Sequence, residues 1–101
     1  SLVNLLIQST GSILMDYAAL WMDWKLGGLK FDGYPYYEFC GRKLCRVGFF
    51  HDEYLWSVDP EIAEEIARLG KESIAAAGRQ FNLRVPLLSE AKIADNWAEL
   101  K

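Results

Sequence analysis

Nitrogen and sulfur metal ligands are scarce in this sequence: one histidine, His51, and two cysteines, Cys40 and Cys45. A structural zinc site generally takes four Cys or His ligands, so none is expected here unless a second chain contributes. The same shortage weakens a metal-dependent phosphohydrolase built on His51-Asp52, because the further His ligands are missing. A disulfide between Cys40 and Cys45 stays open on spacing, and free thiols in a reducing cytosol are the default expectation. No apolar run reaches the ~18 residues of a membrane helix, and no signal-peptide pattern opens the chain. Basic excess is missing too: 11 Lys and Arg stand against 14 Asp and Glu, for a net charge of −3. A self-sufficient nucleic-acid binder carries a basic stripe that neutralises phosphates, so tight DNA binding by this chain alone is not expected. Internal repeats and low-complexity segments are absent as well.

What is abundant is apolar and aromatic. Of 101 residues 51% are hydrophobic, and four Trp, five Tyr and five Phe are many for one small core. The size and composition are those of a single domain spanning 1–101, which buries somewhat over ~60% of its unfolded surface. Some aromatics must therefore lie outside, and an exposed aromatic patch marks a missing partner.

Apolar residues recur at helical spacing from Leu2 to about Leu26, which predicts a long N-terminal helix, and Gly27-Gly28 end it. On that helix Asn4, Gln8 and Ser12 share one face. Residues 27–42 are rich in Gly and aromatics and read as a connecting loop with a short extra hairpin around Asp32-Gly33. Lys43 to Phe50 and Glu53 to Val58 read as two strands of a β-hairpin, the second with strict alternation of Tyr54, Trp56 and Val58 against Leu55 and Ser57. Asp59-Pro60-Glu61 marks a helix start, with Asp59 as cap and Pro60 at the first helical position. Ile62, Ala63, Ile66, Ala67, Leu69, Ser73, Ile74 and Ala77 form its buried stripe, and Gly78 is a plausible stop. A third strand runs from about Arg84 to Lys92, with Pro86 pointing to an edge position. Strands and helices segregate, which predicts an α+β fold with an antiparallel sheet and a helix packed on it.

The hairpin tip carries the polar triplet His51-Asp52-Glu53. Alone, the triplet reads first as a polar turn, and Asn4 with Gln8 as a solvated helix face. Two adjacent carboxylates on a tight turn can also hold a hard divalent cation, which takes oxygen ligands.

The wider sequence resembles the carboxyl-terminal palm of the family A DNA polymerases, the group of bacterial polymerase I and the replicative polymerases of podovirus-type phages. The apolar strand, His51-Asp52-Glu53 and second apolar strand resemble motif C. Asn4-Leu5-Leu6-Ile7-Gln8-Ser9-Thr10-Gly11 is similar to the family's Asn-x-x-x-Gln helix that precedes motif C. Val85-Pro86-Leu87-Leu88-Ser89-Glu90-Ala91-Lys92 with Asn96-Trp97 resembles the family's terminal strand and Asn-Trp ending. Three matches fall in the right order over nearly the whole chain.

The resemblance implies that Asp52 is the motif C metal ligand, with catalytic roles for Asp52 and, in an auxiliary way, Glu53. His51 is placed near the primer terminus, and Asn4 and Gln8 become minor-groove readers whose amides suit the acceptors shared by every correct base pair. Two magnesium ions are implied between the motif C Asp and a motif A Asp, where they activate the primer hydroxyl and stabilise charge on the phosphates. No motif A Asp, fingers helix or thumb is found here. The implied partners are therefore the remainder of the polymerase, with primer-template DNA and dNTP in the complete enzyme. The implied compartment is the cytoplasm of a bacterial or phage-infected cell. Alone, the chain is expected to be inactive and to self-associate as a homo-oligomer through faces that normally meet the missing palm and fingers. A non-catalytic, self-associating interaction domain derived from such a palm is the competing reading.

Overall fold

Val3, Leu5 and Ile7 alternate with Asn4, Leu6 and Gln8, and in the computed structural model this stretch forms strand β1 (Val3–Ser9). The structure describes residues 2–9, 15–50, 53–81 and 89–95. The long helix expected over 2–26 is thus divided into β1 and helix α1 (Met15–Lys25). A short apolar run fits a helix and a buried strand equally well, and pairing decides between them. β1 is hydrogen-bonded on one side to β5 (Glu53–Val58) and on the other to β6 (Ser89–Ala94). Those two ladders satisfy its backbone groups, and β-branched Val3 and Ile7 suit the pleat. Leu5 and Ile7 are fully buried on one face and Leu6 is 3% exposed on the other. A central strand buried on both faces loses the clean alternation that would have advertised it.

α1 stops where Gly27-Gly28 was expected to stop it. The Gly28 N–H donates to the Asp23 carbonyl at 2.8 Å and the Gly27 N–H to the Trp24 carbonyl at 3.1 Å, with Gly27 at φ 82° and Gly28 at φ 90°. This is a Schellman ending, which closes the orphan carbonyls of the last turn.

Residues 27–42 hold more structure than a loop. The hairpin at Asp32-Gly33 forms between β2 (Lys30–Phe31) and β3 (Pro35–Phe39). β3 then joins the main sheet by pairing with β4 (Arg42–Phe50). Cys40 and Gly41 connect them with φ 53° and 76°. Two consecutive positive φ values are what a two-residue type I′ turn demands, and its twist matches the strands.

The sheet order is β2-β3-β4-β5-β1-β6 with every pairing antiparallel. β5 and β6 therefore run parallel with β1 between them, and their connection must cross a sheet face. Helix α2 (Ala63–Gln80) is that crossover, and α1 makes the corresponding one from β1 toward β2. Leu5, Ile7, Tyr54, Trp56, Val58, Leu44 and Tyr37 from the sheet meet Ala18, Met22 and Leu26 of α1 and Ile62, Ile66, Ile74 and Ala77 of α2 in one core. The α+β class, the antiparallel sheet and the helix packed on it are as the sequence predicted.

The buried stripe of α2 follows its 3.6-residue spacing, with Ile62, Ala63, Ile66, Ser73, Ile74 and Ala77 at 4% exposure or less. Its start is later than expected. A turn at 60–62 precedes the helix, Ile62 occupies the cap position without a side-chain bond, and Asp59 binds the turn instead. Asp59 Oδ1 accepts the Glu61 N–H at 2.9 Å and Oδ2 accepts Arg42 Nη1 at 3.0 Å. Those bonds, the Glu61 amide foremost, hold the Asp59 carboxyl below its usual range. At the other end the helix runs through Gly78 to Gln80. β6 is an edge strand, as expected, although Pro86 and the start of the predicted strand fall outside the described residues.

Candidate functional site

The hairpin that carries the polar triplet is β4 with β5. Its pairing runs from Leu44↔Val58 to Phe50↔Glu53, which leaves residues 51 and 52 as the connection. The strands agree with the predicted Lys43 to Phe50 and Glu53 to Val58. A register shift between Arg46 and Gly48 makes Val47 the extra residue of a β-bulge, and Val47 is 52% exposed. Bulges bend the strand that carries them and recur beside functional turns. Tyr54, Trp56 and Val58 point into the core, so Glu53, Leu55 and Ser57 line the face away from the helices.

His51 and Asp52 lie outside the described residues. Glu53 is half-buried, and its Oε2 accepts a hydrogen bond from Gln8 Nε2 at 3.1 Å. The register explains this contact, because Gln8 stands opposite Glu53 in the β1/β5 ladder and opposite Glu90 in the β1/β6 ladder. Glu53, Gln8 and Glu90 form a row across three strands, each about 4.8 Å from the next. Gln8 has two amide N–H donors, of which Glu53 engages one.

Asn4 and Gln8 do share a face, but for the reason that holds in a strand, whose side chains alternate with period two. The helical juxtaposition is not formed. Four residues along a strand separate two positions by about 13 Å, against about 6 Å along a helix. Asn4 Nδ2 instead reaches toward the Asp95 carbonyl at 3.5 Å. Gln8 and Glu53 are therefore brought together, and Asn4 is not part of that group. No local pattern in the sequence marks Glu90, because only the β1/β6 register places it beside Gln8.

Among the described residues no group of three or more His, Cys, Asp or Glu side chains could hold a metal ion. Among the described residues Glu53 offers one carboxylate next in sequence to Asp52. Cys40 and Cys45 are both free thiols. No helix among the described residues is long and apolar enough to cross a membrane.

A concavity of about 520 Å³ lies between α1 and the β3/β4 strands and is lined by Asp16, Asp23, Tyr37 and Arg46 among others. The Tyr37 hydroxyl donates to Asp23 Oδ1 at 2.6 Å. Burial, followed by that bond to a carboxylate, pushes the Tyr37 hydroxyl up to about 12. These two groups satisfy each other, which marks the contact as an α1-to-sheet tie.

Comparison with protein families, with curated proteins and with solved structures finds no match for this chain.

Proposed function

We propose that this chain is a carboxyl-terminal palm segment of a family A DNA polymerase that contributes the motif C carboxylate to nucleotidyl transfer in DNA replication. The observation that carries the reading is the triplet His51-Asp52-Glu53 between two strands that pair as far as Phe50↔Glu53. Such a hairpin fixes where its tip residues emerge, which metal-assisted phosphoryl transfer requires of its ligands. With β1 a strand, the reading rests on this hairpin more than on the Asn4-to-Gln8 segment.

In this reading Asp52 presents the metal-binding carboxylate and Glu53 the neighbouring one, oriented by the Gln8 amide. Magnesium bound there would polarise the phosphoryl oxygens and favour the ionised primer hydroxyl. His51 packs near the primer terminus, and Gln8 keeps one N–H donor for a minor-groove acceptor. Fingers, thumb and the motif A carboxylate belong to the remainder of the polymerase, together with most phosphate contacts, which an acidic segment does not supply.

The test is primer extension with magnesium, mixing this chain with a family A polymerase truncated just before the helix that precedes its motif C. Extension is expected only when both pieces are present, with Asp52→Ala reducing it to background and the isolated chain inactive. Silence in a mixture whose pieces demonstrably bind would overturn the proposal in favour of a non-catalytic interaction domain. Robust extension by the chain alone would overturn the two-piece account of the site.

A further inference from the structure

We infer that β6 and the adjoining flank of α2 form a two-fold interface with a second copy of this chain. β6 closes one end of the sheet. Its residues alternate between a helix-side set, Ser89, Ala91 and Ile93, and an opposite set, Glu90, Lys92 and Ala94. Glu90 and Lys92 are exposed, and among the described residues neither is in an ion pair. Ile93 is 42% exposed and lines a groove of about 280 Å³ with Ala91 and the Glu64, Ala67, Arg68 and Lys71 stripe of α2.

Charge selects the occupant and the register. In an antiparallel pair of β6 strands with the two-fold at Ala91, Glu90 of each copy stands opposite Lys92 of the other, so two complementary cross-strand pairs form at once. A two-fold at Glu90 or at Lys92 puts like charges opposite each other. An axis between residues would turn the helix side of one copy into the open side of the other, because strand faces alternate. Only the Ala91 register satisfies both conditions.

The helices fit the same arrangement. α2 packs over β1 and β6. Placed midway between them, with strands about 4.8 Å apart, its axis and that of its symmetry mate come to about 10 Å. Helices pack at about 8–10 Å, so pairing the edges also brings the two α2 flanks into contact. The two-fold makes them antiparallel, and the paired edges and flanks cover Ile93. The inference uses β6 and α2 alone and does not depend on the polymerase reading.

Sedimentation equilibrium tests it, with circular dichroism as the check on folding. The wild-type mass is expected to rise with concentration toward twice the 11.5 kDa of one chain. Glu90→Lys and Lys92→Glu, both at exposed positions, should each hold the mass at one chain. An equimolar mixture of the two variants should regain the doubled mass, because every cross-strand pair is then of opposite sign. Wild type that stays monomeric overturns the inference. So do single reversals that dimerise as wild type does, or a mixture of folded variants that stays monomeric.

Discussion

Gly70 stands where α2 comes closest to β1: a Cβ placed on it would lie 2.1 Å from Ile7 Cδ1, 3.0 Å from Cγ1 and 3.3 Å from Cγ2. Ile7 is fully buried, so its side chain cannot yield into solvent. In an exposed helix Gly→Ala stabilises by about 1 kcal/mol through propensity. Here overpacking opposes that gain by about 1–3 kcal/mol, so Gly70→Ala should be neutral to destabilising by about 2 kcal/mol. Ile7→Val alone should cost about 0.5–1.5 kcal/mol, since it deletes a buried methyl group. That methyl group is the atom 2.1 Å from the new Cβ, so the two changes should be coupled. The double variant Gly70→Ala/Ile7→Val is expected to be more stable than the sum of the singles by about 1–2 kcal/mol, or about 4–16 °C in Tm at this chain length. Urea and thermal unfolding of the four proteins would measure this cycle. Effects that add within about 0.5 kcal/mol, or a Gly70→Ala variant that is itself more stable by the full propensity gain, would refute the close approach of α2 to β1.

Two further perturbations follow from backbone and burial. Cys40 holds φ 53° at an exposed turn position beside Gly41, where an L side chain without a local hydrogen-bonding group is strained. Cys40→Asn should raise stability by about 0.5–1 kcal/mol in thermal unfolding, because Asn-Gly is the favoured type I′ pair; an unchanged or lower Tm would count against that turn. At alkaline pH, burial pushes the Tyr54 hydroxyl up to about 12 from its ordinary 10.0. The unfolded chain then releases its proton before the folded one does. Stability from this group is complete below pH 10 and lost between pH 10 and 12, with a slope of up to about 1.4 kcal/mol per pH unit. Tyr54→Phe should flatten the decline, and denaturant titrations from pH 8 to 12 that show parallel declines in both proteins would exclude Tyr54 as its source.

The parts that were legible in the sequence are those whose signal is local. Ile62 to Ala77 repeat at helical spacing whatever surrounds them, and Tyr54, Trp56 and Val58 alternate within one strand. Gly27-Gly28 end α1 because their backbone needs positive φ. β1 was not legible, since Leu2 to Ile7 is apolar enough for either template and its state depends on partners at Val58 and Ala94. Nor was the Cys40-Gly41 turn, because cysteine is an unusual residue at positive φ. In the candidate site, the triplet and its flanking strands could be read directly. The Gln8 to Glu53 bond and the Glu53-Gln8-Glu90 row depended on two ladders between segments tens of residues apart.

Local signals and composition were enough for the α+β class, the hairpin strands that flank His51-Asp52-Glu53, the amphipathic helix after Asp59 and the charge balance, which is poor for binding DNA. Each follows from interactions among residues a few positions apart or from composition alone. Long-range pairing was needed to make Val3–Ser9 a central strand and to bring Gln8 rather than Asn4 beside Glu53. It also decided that β6 forms an edge with Glu90 and Lys92 on one face. Those facts depend on long-range backbone pairing, in which a one-residue slip turns every side chain to the other face, and no local pattern fixes that register in advance.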